Sequence, residues 1–300
     1  MAQKDWRTFR EAATRHTSHP QLDDSRVIRF RGNVTARIYG DSRPHNLKTA
    51  QLQKGLVLAL NGEELAEEGV GIGVPVAIFK DDTYFSSSGE LSTHSSSGGE
   101  IIVKRFILDS VSRKSWKIRA FVNNPFYRKL TGEFAHLYRE YATMRKTLLS
   151  LIRLRNRAGV RTVYAKRDPR GQVEVEYRVK EDTIYVSASF RGLDKRNLRR
   201  IVVMNEQGSS FFKKFHDSNG AILVDEQIGA WEPVAAEWAC LSDPDNRLGF
   251  CLRKLRGCRL FIGRERLDGH LAWSGMGYEV PSNVDSLSYQ VKILIGDDPW

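Results

Sequence analysis

The sequence is poor in the residue patterns that mark disulfide scaffolds and metal centres. Its 300 residues include three cysteines, Cys240, Cys251 and Cys258, and no two of them have the two-residue spacing of a zinc or redox motif. An odd, widely spaced set is typical of reduced thiols in a cytosol, so we expect a cytoplasmic protein with three free thiols. The seven histidines are scattered without metal-ligand spacing, and no metal site is predicted.

Long apolar runs are missing as well. No stretch of about 18 apolar residues occurs, which predicts no membrane-spanning helix and no membrane partner. Residues 1–16 are charged and contain no apolar run, so we expect no secretory signal there. A chain of this length buries roughly 75% of the surface that its unfolded form exposes, so a large core forms without disulfides.

Common enzyme signatures are also absent. The glycine cluster Gly69-Val-Gly-Ile-Gly73 precedes a predicted strand at 74–79, whereas a nucleotide-binding glycine loop opens a helix. Close backbone packing or a bulge at the strand entry is the expected role of these glycines. The sequence contains no P-loop, no G-x-S-x-G and no H-E-x-x-H motif. We therefore predict no cofactor.

Positive charge is concentrated in one window. The chain has 47 Lys and Arg against 36 Asp and Glu, a net charge of +11. Residues 128–170 contain twelve basic and three acidic residues, so this window holds nine of the eleven excess charges. Such a local excess indicates a surface that meets an anionic partner, and a solvated helix face is the alternative.

A helical period predicts one long amphipathic helix in the same window. The helix begins near Asn124-Pro125 and ends at Gly159, a typical C-terminal cap, so it covers 125–159. Spacings of four and three place one apolar stripe on it: Leu130, Phe134, Leu137, Tyr141, Met144, Leu148 and Leu151. A different face carries four basic residues: Arg139, Lys146, Arg153 and Arg157. The stripe packs on a sheet, or alternatively pairs with a second copy through 125–158.

Period-two patterns and turn residues dominate the rest of the chain. Segments 27–30 and 34–39 flank a Gly32-Asn33 turn, and the alternating segments 173–179 and 184–190 flank 180–182. Segments of this kind recur to give about seventeen strand candidates. The Ser-, Gly- and Thr-rich segment 86–99 is predicted as a long flexible loop, either disordered or a mobile lid.

The predicted fold class is mainly β: a large antiparallel β-sandwich with one long central amphipathic helix. Its regions are a strand-rich part at 1–124, the helix at 125–159 and an antiparallel β part at 160–300. The first and last parts form either separate units or one continuous domain. In element count the chain resembles the large β-sandwiches of carbohydrate-acting proteins, such as the galactose-mutarotase type. No signature motif of that family is present, so no catalytic residue is carried over.

Three polar residues are candidates for acid–base chemistry. Glu206 follows an apolar run at 201–204 and emerges at a strand end, and His216 precedes a tight turn at 217–220. A carboxylate and an imidazole brought together serve as general acid and base. Glu232 is the third candidate acid. The alternative is a polar hairpin whose side chains only make the turn.

Four aromatic residues are candidates for a ligand platform. Trp231, Trp273 and Tyr278 lie in glycine-rich segments, and Tyr84 is a further candidate wall. Aromatic rings with one apolar face suit the stacking of a sugar or base, although core burial is the more common use of such residues. The platform requires that these side chains and the candidate acids converge on one cleft.

These observations support functions of different classes. The favoured hypothesis is carbohydrate-type ligand binding or acid–base chemistry on a sugar, including an anionic sugar held by arginine. The second is nucleic-acid or other polyanion binding through 125–170, although no standard nucleic-acid-binding motif is visible. The third is a non-enzymatic docking or dimerisation protein. The sequence does not decide whether the chain is an enzyme.

Overall fold

The described part of the chain is built from strands. The computed structural model describes residues 25–40, 53–67, 69–80, 83–86, 88–96, 99–109, 111–115, 162–166, 168–267 and 271–296. The strands, in chain order, are β1 (Ser25–Arg29), β2 (Val34–Tyr39), β3 (Val57–Leu60), β4 (Glu63–Glu64), β5 (Gly71–Phe79), β6 (Thr83–Tyr84), β7 (Ser88–Ser96), β8 (Gly99–Ile107), β9 (Val111–Ser115), β10 (Thr162–Lys166), β11 (Gln172–Lys180), β12 (Thr183–Ser189), β13 (Leu198–Gly208), β14 (Lys214–Asp217), β15 (Ile222–Val224), β16 (Glu232–Pro233), β17 (Trp238–Ser242), β18 (Leu248–Arg253), β19 (Arg259–Leu267), β20 (Leu271–Pro281) and β21 (Ser286–Ile295).

The predicted fold class is wrong in its helix. The described residues are nearly all β and contain no helix of seven or more residues. Their one helical segment is the 3-10 turn Asp225–Gln227. The stretch predicted as a helix, 125–159, lies outside the described residues, and so do its four basic residues. The described segments follow period-two alternation and turn residues, which favour strands.

Two large antiparallel sheets form the body of the protein. The nine-stranded sheet has the order β15-β14-β17-β18-β21-β12-β11-β8-β7, and the six-stranded sheet has the order β16-β19-β20-β13-β5-β6. Each sheet combines strands that precede the 116–161 stretch with strands that follow it. The preceding strands are β7 and β8 in the nine-stranded sheet and β5 and β6 in the six-stranded sheet. A four-stranded sheet, β1-β2-β3-β4, and the β9-β10 pair complete the described strands.

Local sequence patterns explain several of these strands. The segments predicted at 173–179 and 184–190 form β11 and β12, and their burial alternates as a half-buried strand requires. Glu181 has a φ of 53° in the tight turn between them. The predicted Gly32-Asn33 hairpin joins β1 to β2, with Gly32 at a φ of 62°. Period-two patterns with turn residues thus predicted these hairpins correctly.

The segment 86–99 is not the long loop that its composition predicts. Residues Ser88–Ser96 form β7, which pairs with β8 from Ser88 opposite Ile107 to Ser96 opposite Gly99. As the last strand of the nine-stranded sheet, β7 needs a backbone partner on one side only. Small polar residues suffice for such an edge, because an edge strand can form its hydrogen-bond ladder without burying large apolar side chains.

The core lies between the inner faces of the two large sheets. The Tyr177 hydroxyl on β11 donates to Ile72 O on β5 at 2.9 Å. The Tyr289 ring on β21 packs edge-on against Tyr278 on β20, with centroids 5.0 Å apart. These contacts join one continuous buried cluster of apolar side chains drawn from both sheets. Burial of this apolar area is the main stabilising contribution to the fold.

The expectation of three reduced thiols is wrong for two of them. Cys240 on β17 stands opposite Cys251 on β18, and the two form a disulfide with Cα atoms 4.1 Å apart. The hairpin register creates this pair, which no short spacing motif announces. Cys258 is free and half-buried, and burial raises the pKa of its thiol.

Among the described residues, no helix has the length and apolar character of a membrane span.

Candidate functional site

Strand alternation divides the polar residues of β13 between two faces of the six-stranded sheet. The Asn205 side chain points inward, because its Oδ1 accepts a hydrogen bond from Tyr289 of the opposite sheet at 2.7 Å. Successive side chains of a strand point to opposite faces, so Glu206 points outward. The same outer face carries, on the neighbouring β20 and β19, Trp273, Gly275, Gly277, Glu279, Glu265, Gly263, Phe261 and Arg259.

Glycines form the floor of this outer face. Gly275 stands between Glu206 on β13 and Gly263 on β19. A Cβ at Gly275 would lie 2.5 Å from Glu206 Cγ, so the Glu206 side chain occupies the space that glycine leaves. A Cβ at Gly263 would lie 2.7 Å from Trp231 N and 2.9 Å from Trp273 Cη2. The glycines thus let one carboxyl and two indoles lie close to the sheet.

Trp231 and Trp273 form a stacked pair on this floor. Their ring centroids are 5.0 Å apart, with 22° between the planes. Trp273 is 7% exposed, whereas Trp231 is partly exposed. Trp231 has a φ of 57°, the left-handed region that is unfavourable for a bulky residue. Backbone strain of this kind is concentrated at ligand sites, where the surrounding structure holds it in place.

The Glu206 carboxyl lies in an environment that favours its protonated form. The residue is 4% exposed, and its Oε2 accepts one long hydrogen bond, from Val70 N at 3.4 Å. Burial raises its pKa to about 8, the nearby Glu265 adds to the increase, and the Val70 N–H opposes it. At neutral pH the group is therefore mostly a carboxylic acid, which can donate a proton.

His216 lies on the other large sheet. It stands opposite Cys240 on β17, and its ring packs edge-on against Trp238 with centroids 5.8 Å apart. Burial lowers its pKa, Lys214 adds to that effect and Asp217 opposes it. Among the described residues, no group bonds to its buried Nδ1. His216 is thus not brought to Glu206, and its catalytic role stays a prediction.

The remaining candidates are divided between the outer face and the interior. Glu232 is exposed and follows Trp231, with its carboxyl folded over Gly229. Tyr278 is buried on the inner face, where its hydroxyl donates to Arg253 O at 2.5 Å. It therefore offers no exposed surface to a ligand.

Tyr84 lies elsewhere in the six-stranded sheet. Its ring packs edge-on against Phe79, with centroids 5.4 Å apart, and the Arg170 guanidinium lies 5.1 Å from the Tyr84 centroid. Tyr84 is buried in these contacts. The structure thus gathers Glu206, Trp231 and Trp273 on one face, with Glu232 adjoining, and leaves His216, Tyr84 and Tyr278 apart. The ligand-binding roles of all these residues stay predictions.

A cavity at the end of this outer face contains residues that the sequence interpretation missed. It has a volume of about 530 Å³ and is lined by Arg199, Arg200, Arg259 and Glu279, among others. The signal for it was the period of two along β20, since Glu279 and Trp273 are separated by an even number of residues. That parity places them on the same face, but only the strand register brings Arg200 and Arg259 beside Glu279.

Comparisons with known proteins give structural likenesses of low TM-score and low identity. No family model matches the chain, and no curated protein matches it in sequence. Among solved structures the chain is similar to the alpha-N-acetylgalactosaminidase NagBb from Bifidobacterium bifidum, in a complex with GalNAc. That similarity has a TM-score of 0.46 and 8% identity, and it covers 91% of this chain and 36% of the other. The chain thus spans about a third of the length of that enzyme.

Two further solved structures show weaker similarity over most of their length. One is a galactose mutarotase-like protein from Lactobacillus casei, with a TM-score of 0.37, 9% identity, and coverage of 90% of this chain and 99% of the other. The other is the Slr1438 protein from Synechocystis sp. PCC 6803, with a TM-score of 0.36, 8% identity, and coverage of 91% and 96%. Two of the three proteins are named for sugars, but TM-scores this low establish no shared function.

Proposed function

We propose that the chain binds a sugar ring on the outer face of the six-stranded sheet and donates a proton to it from Glu206. The observation that carries this function is the placement of a protonated carboxyl and a stacked tryptophan pair around the glycine floor. The partly exposed Trp231 supplies the apolar surface, the buried Trp273 supports it by stacking, and Glu206 supplies the acidic group within the glycine floor. Mostly apolar walls with a few convergent polar groups are typical of small-molecule sites.

The tryptophan pair suits a sugar because an indole offers a flat apolar face and a polar edge. Trp231 is held by stacking on Trp273, and the surrounding structure keeps its backbone in the left-handed region. Its backbone is further fixed by the adjoining strand, where Arg264 N donates to Gly229 O at 3.0 Å. A ring that is already fixed loses little conformational entropy when a ligand stacks on it.

Glu206 suits proton transfer because its pKa of about 8 lies near neutral pH. An acid with a pKa near the working pH is largely protonated there and still gives up its proton readily. The partly exposed Glu265, opposite Trp273 on β19, supplies a second carboxylate on the same face. Two carboxyl groups in different environments are the usual arrangement for dividing acid and base roles.

The test is a binding and turnover screen on a panel of mono- to tetrasaccharides. Trp231→Ala is expected to weaken the best ligand by about tenfold, because one stacked aromatic contributes on the order of 1.5 kcal/mol. Glu206→Gln is expected to keep binding and to abolish turnover, because an amide has no acidic proton. Trp238→Ala, a tryptophan change on the other sheet, is the matched control and is expected to leave affinity unchanged.

Two results would contradict this function. One is a folded wild-type protein that binds no member of the panel. The other is a ligand whose affinity is the same for wild type and for Trp231→Ala, with circular dichroism confirming that the variant is folded.

A further inference from the structure

The cavity at the end of the outer face has an excess of positive charge. Its volume of about 530 Å³ lies within the usual range for ligand sites. Its lining includes three arginines, Arg199, Arg200 and Arg259, and one acidic residue, Glu279. Among the described residues Arg199 has no acidic partner. The cavity is therefore cationic, with more guanidinium groups than the protein itself neutralises.

Glu279 fixes two of these arginines in place. Arg200 Nη1 contacts Glu279 Oε2 at 2.8 Å, and Arg259 Nη2 contacts Glu279 Oε1 at 2.6 Å. Each carboxylate oxygen thus serves a different guanidinium, while Arg259 also lies over the Phe261 ring, 5.2 Å from its centroid. Each guanidinium carries five N–H donors, so donors remain for a ligand after these contacts. Arginine held in this way suits planar recognition of a carboxylate or phosphate.

The cavity adjoins the tryptophan platform along β20. A Cβ at Gly277 would lie 3.2 Å from Trp231 Cζ3, so the edge of the indole reaches Gly277. Gly277 and Glu279 are two residues apart on one face, which is about 7 Å along a strand. One ligand can therefore stack on Trp231 and reach the arginines.

We infer that this cavity binds the anionic group of the sugar, so that the ligand class is an acidic saccharide. This inference rests on the proposed function, because it takes the Trp231 platform as the place of the sugar ring. The carboxylate or phosphate of the ligand accepts hydrogen bonds from Arg200, Arg259 and Arg199. A neutral saccharide gains nothing from these groups.

The experiment compares saccharides of equal length by isothermal titration calorimetry: a uronic-acid oligosaccharide, its neutral parent and a sugar phosphate. Wild type is expected to bind an acidic member at least about tenfold more tightly than the neutral parent, because charged hydrogen bonds contribute roughly 1.5–3 kcal/mol. The affinity for the acidic member should fall as salt rises. Comparison of the two acidic members tells a carboxylate from a phosphate.

Three variants locate the effect. Arg259→Gln is expected to lower affinity for the acidic saccharide about tenfold and to leave the neutral parent unchanged. Arg199→Gln removes a charge without breaking an ion pair of the described residues. It is expected to lower the affinity for the acidic saccharide by less than Arg259→Gln does, and this loss is not explained by unfolding. Arg178→Gln, an exposed arginine on the nine-stranded sheet, is the matched control and is expected to change nothing.

The two ways of failing are distinct. If wild type binds neutral and acidic members equally, or if Arg259→Gln weakens both equally, the anionic subsite is wrong and the sugar platform stands. If no member binds, or if Trp231→Ala changes neither affinity, the proposed function fails and takes the subsite with it.

Discussion

The two faces of β13 differ in how fully their buried polar side chains are hydrogen-bonded. On the inner face, Asn205 Oδ1 accepts hydrogen bonds from the Tyr289 hydroxyl at 2.7 Å and from Gly73 N at 3.2 Å. Gln207 Oε1 accepts from Leu58 N at 3.1 Å, and its Nε2 donates to a neighbouring carbonyl at 3.2 Å. These amides connect the sheet to its neighbours and leave little bonding capacity unused.

On the outer face, the intervening Glu206 carboxyl accepts one long hydrogen bond from the residues that the structure describes. Glu206 is as buried as its neighbours but receives a single N–H at 3.4 Å, and its pKa is raised instead. Buried polar groups that serve the fold are normally well bonded, so a carboxyl with one long hydrogen bond calls for another explanation. All three residues of 205–207 are buried, so burial does not distinguish the structural amides from the candidate acid. The number and length of their hydrogen bonds do.

The largest loss of stability is expected when the hydrogen bonds of Asn205 on the inner face are removed. Asn205→Ala leaves the Tyr289 hydroxyl and Gly73 N without their acceptor, at roughly 1–3 kcal/mol for each buried group. We expect the free energy of unfolding in urea to fall by about 4 kcal/mol. A loss below about 1 kcal/mol would show that the inner-face network is not structural.

A smaller effect, of opposite sign, is expected from Glu206→Gln. Glu206 has a pKa of about 8 in the folded protein against 4.5 for an ordinary glutamate, so the folded state binds more protons between these values. Wild-type stability therefore falls as pH rises from about 4.5 to about 8. Glu206→Gln removes this dependence and raises the free energy of unfolding at pH 8 by on the order of 3 kcal/mol.

The measurement is urea unfolding of both proteins at half-unit steps of pH. Other carboxylates contribute equally to the two curves, so their difference isolates Glu206. A difference that stays constant across the window would mean that Glu206 is ionised in the folded state, and the comparison of the two faces would lose its basis.

The smallest effect is expected at the glycine floor. A Cβ at Gly275 would lie 2.5 Å from Glu206 Cγ and 2.8 Å from Asn205 O, whereas one at Gly277 would lie 3.2 Å from the Trp231 ring. Gly275→Ala is expected to cost about 2 kcal/mol by thermal unfolding, and Gly277→Ala about 0.5 kcal/mol. Equal costs would show that the crowding at Gly275 is relieved by movement.

Much of the strand content was predictable because it depends on neighbouring residues. The alternation at 173–179 and the Gly32-Asn33 turn act over a few residues, and both hairpins formed as predicted. The segment 86–99 was mispredicted because composition describes side chains, whereas β7 is held by its backbone ladder to β8. The Cys240–Cys251 pair was missed for a related reason, since only the register of a hairpin sets the two residues opposite each other.

The site was predictable only in its residue types. Trp273 and Tyr278 were placed on one platform, but they differ in parity along β20 and so point to opposite faces of the sheet. Glu206 shares a face with Trp231 and Trp273 because β13 pairs with β20 about seventy residues further along the chain. No local pattern encodes such a pairing, and the arginine cavity depends on the same long-range register.

The β9-β10 pair brings the two ends of the 116–161 stretch together. Ser115 and Thr162 stand directly opposite each other, so a short turn is enough to connect them. A short turn joining them would keep the pairing of β8 with β11 intact while removing 116–161. Because most of the positively charged window lies in that stretch, the polyanion and sugar hypotheses can be assayed separately by comparing the full chain with the shortened one.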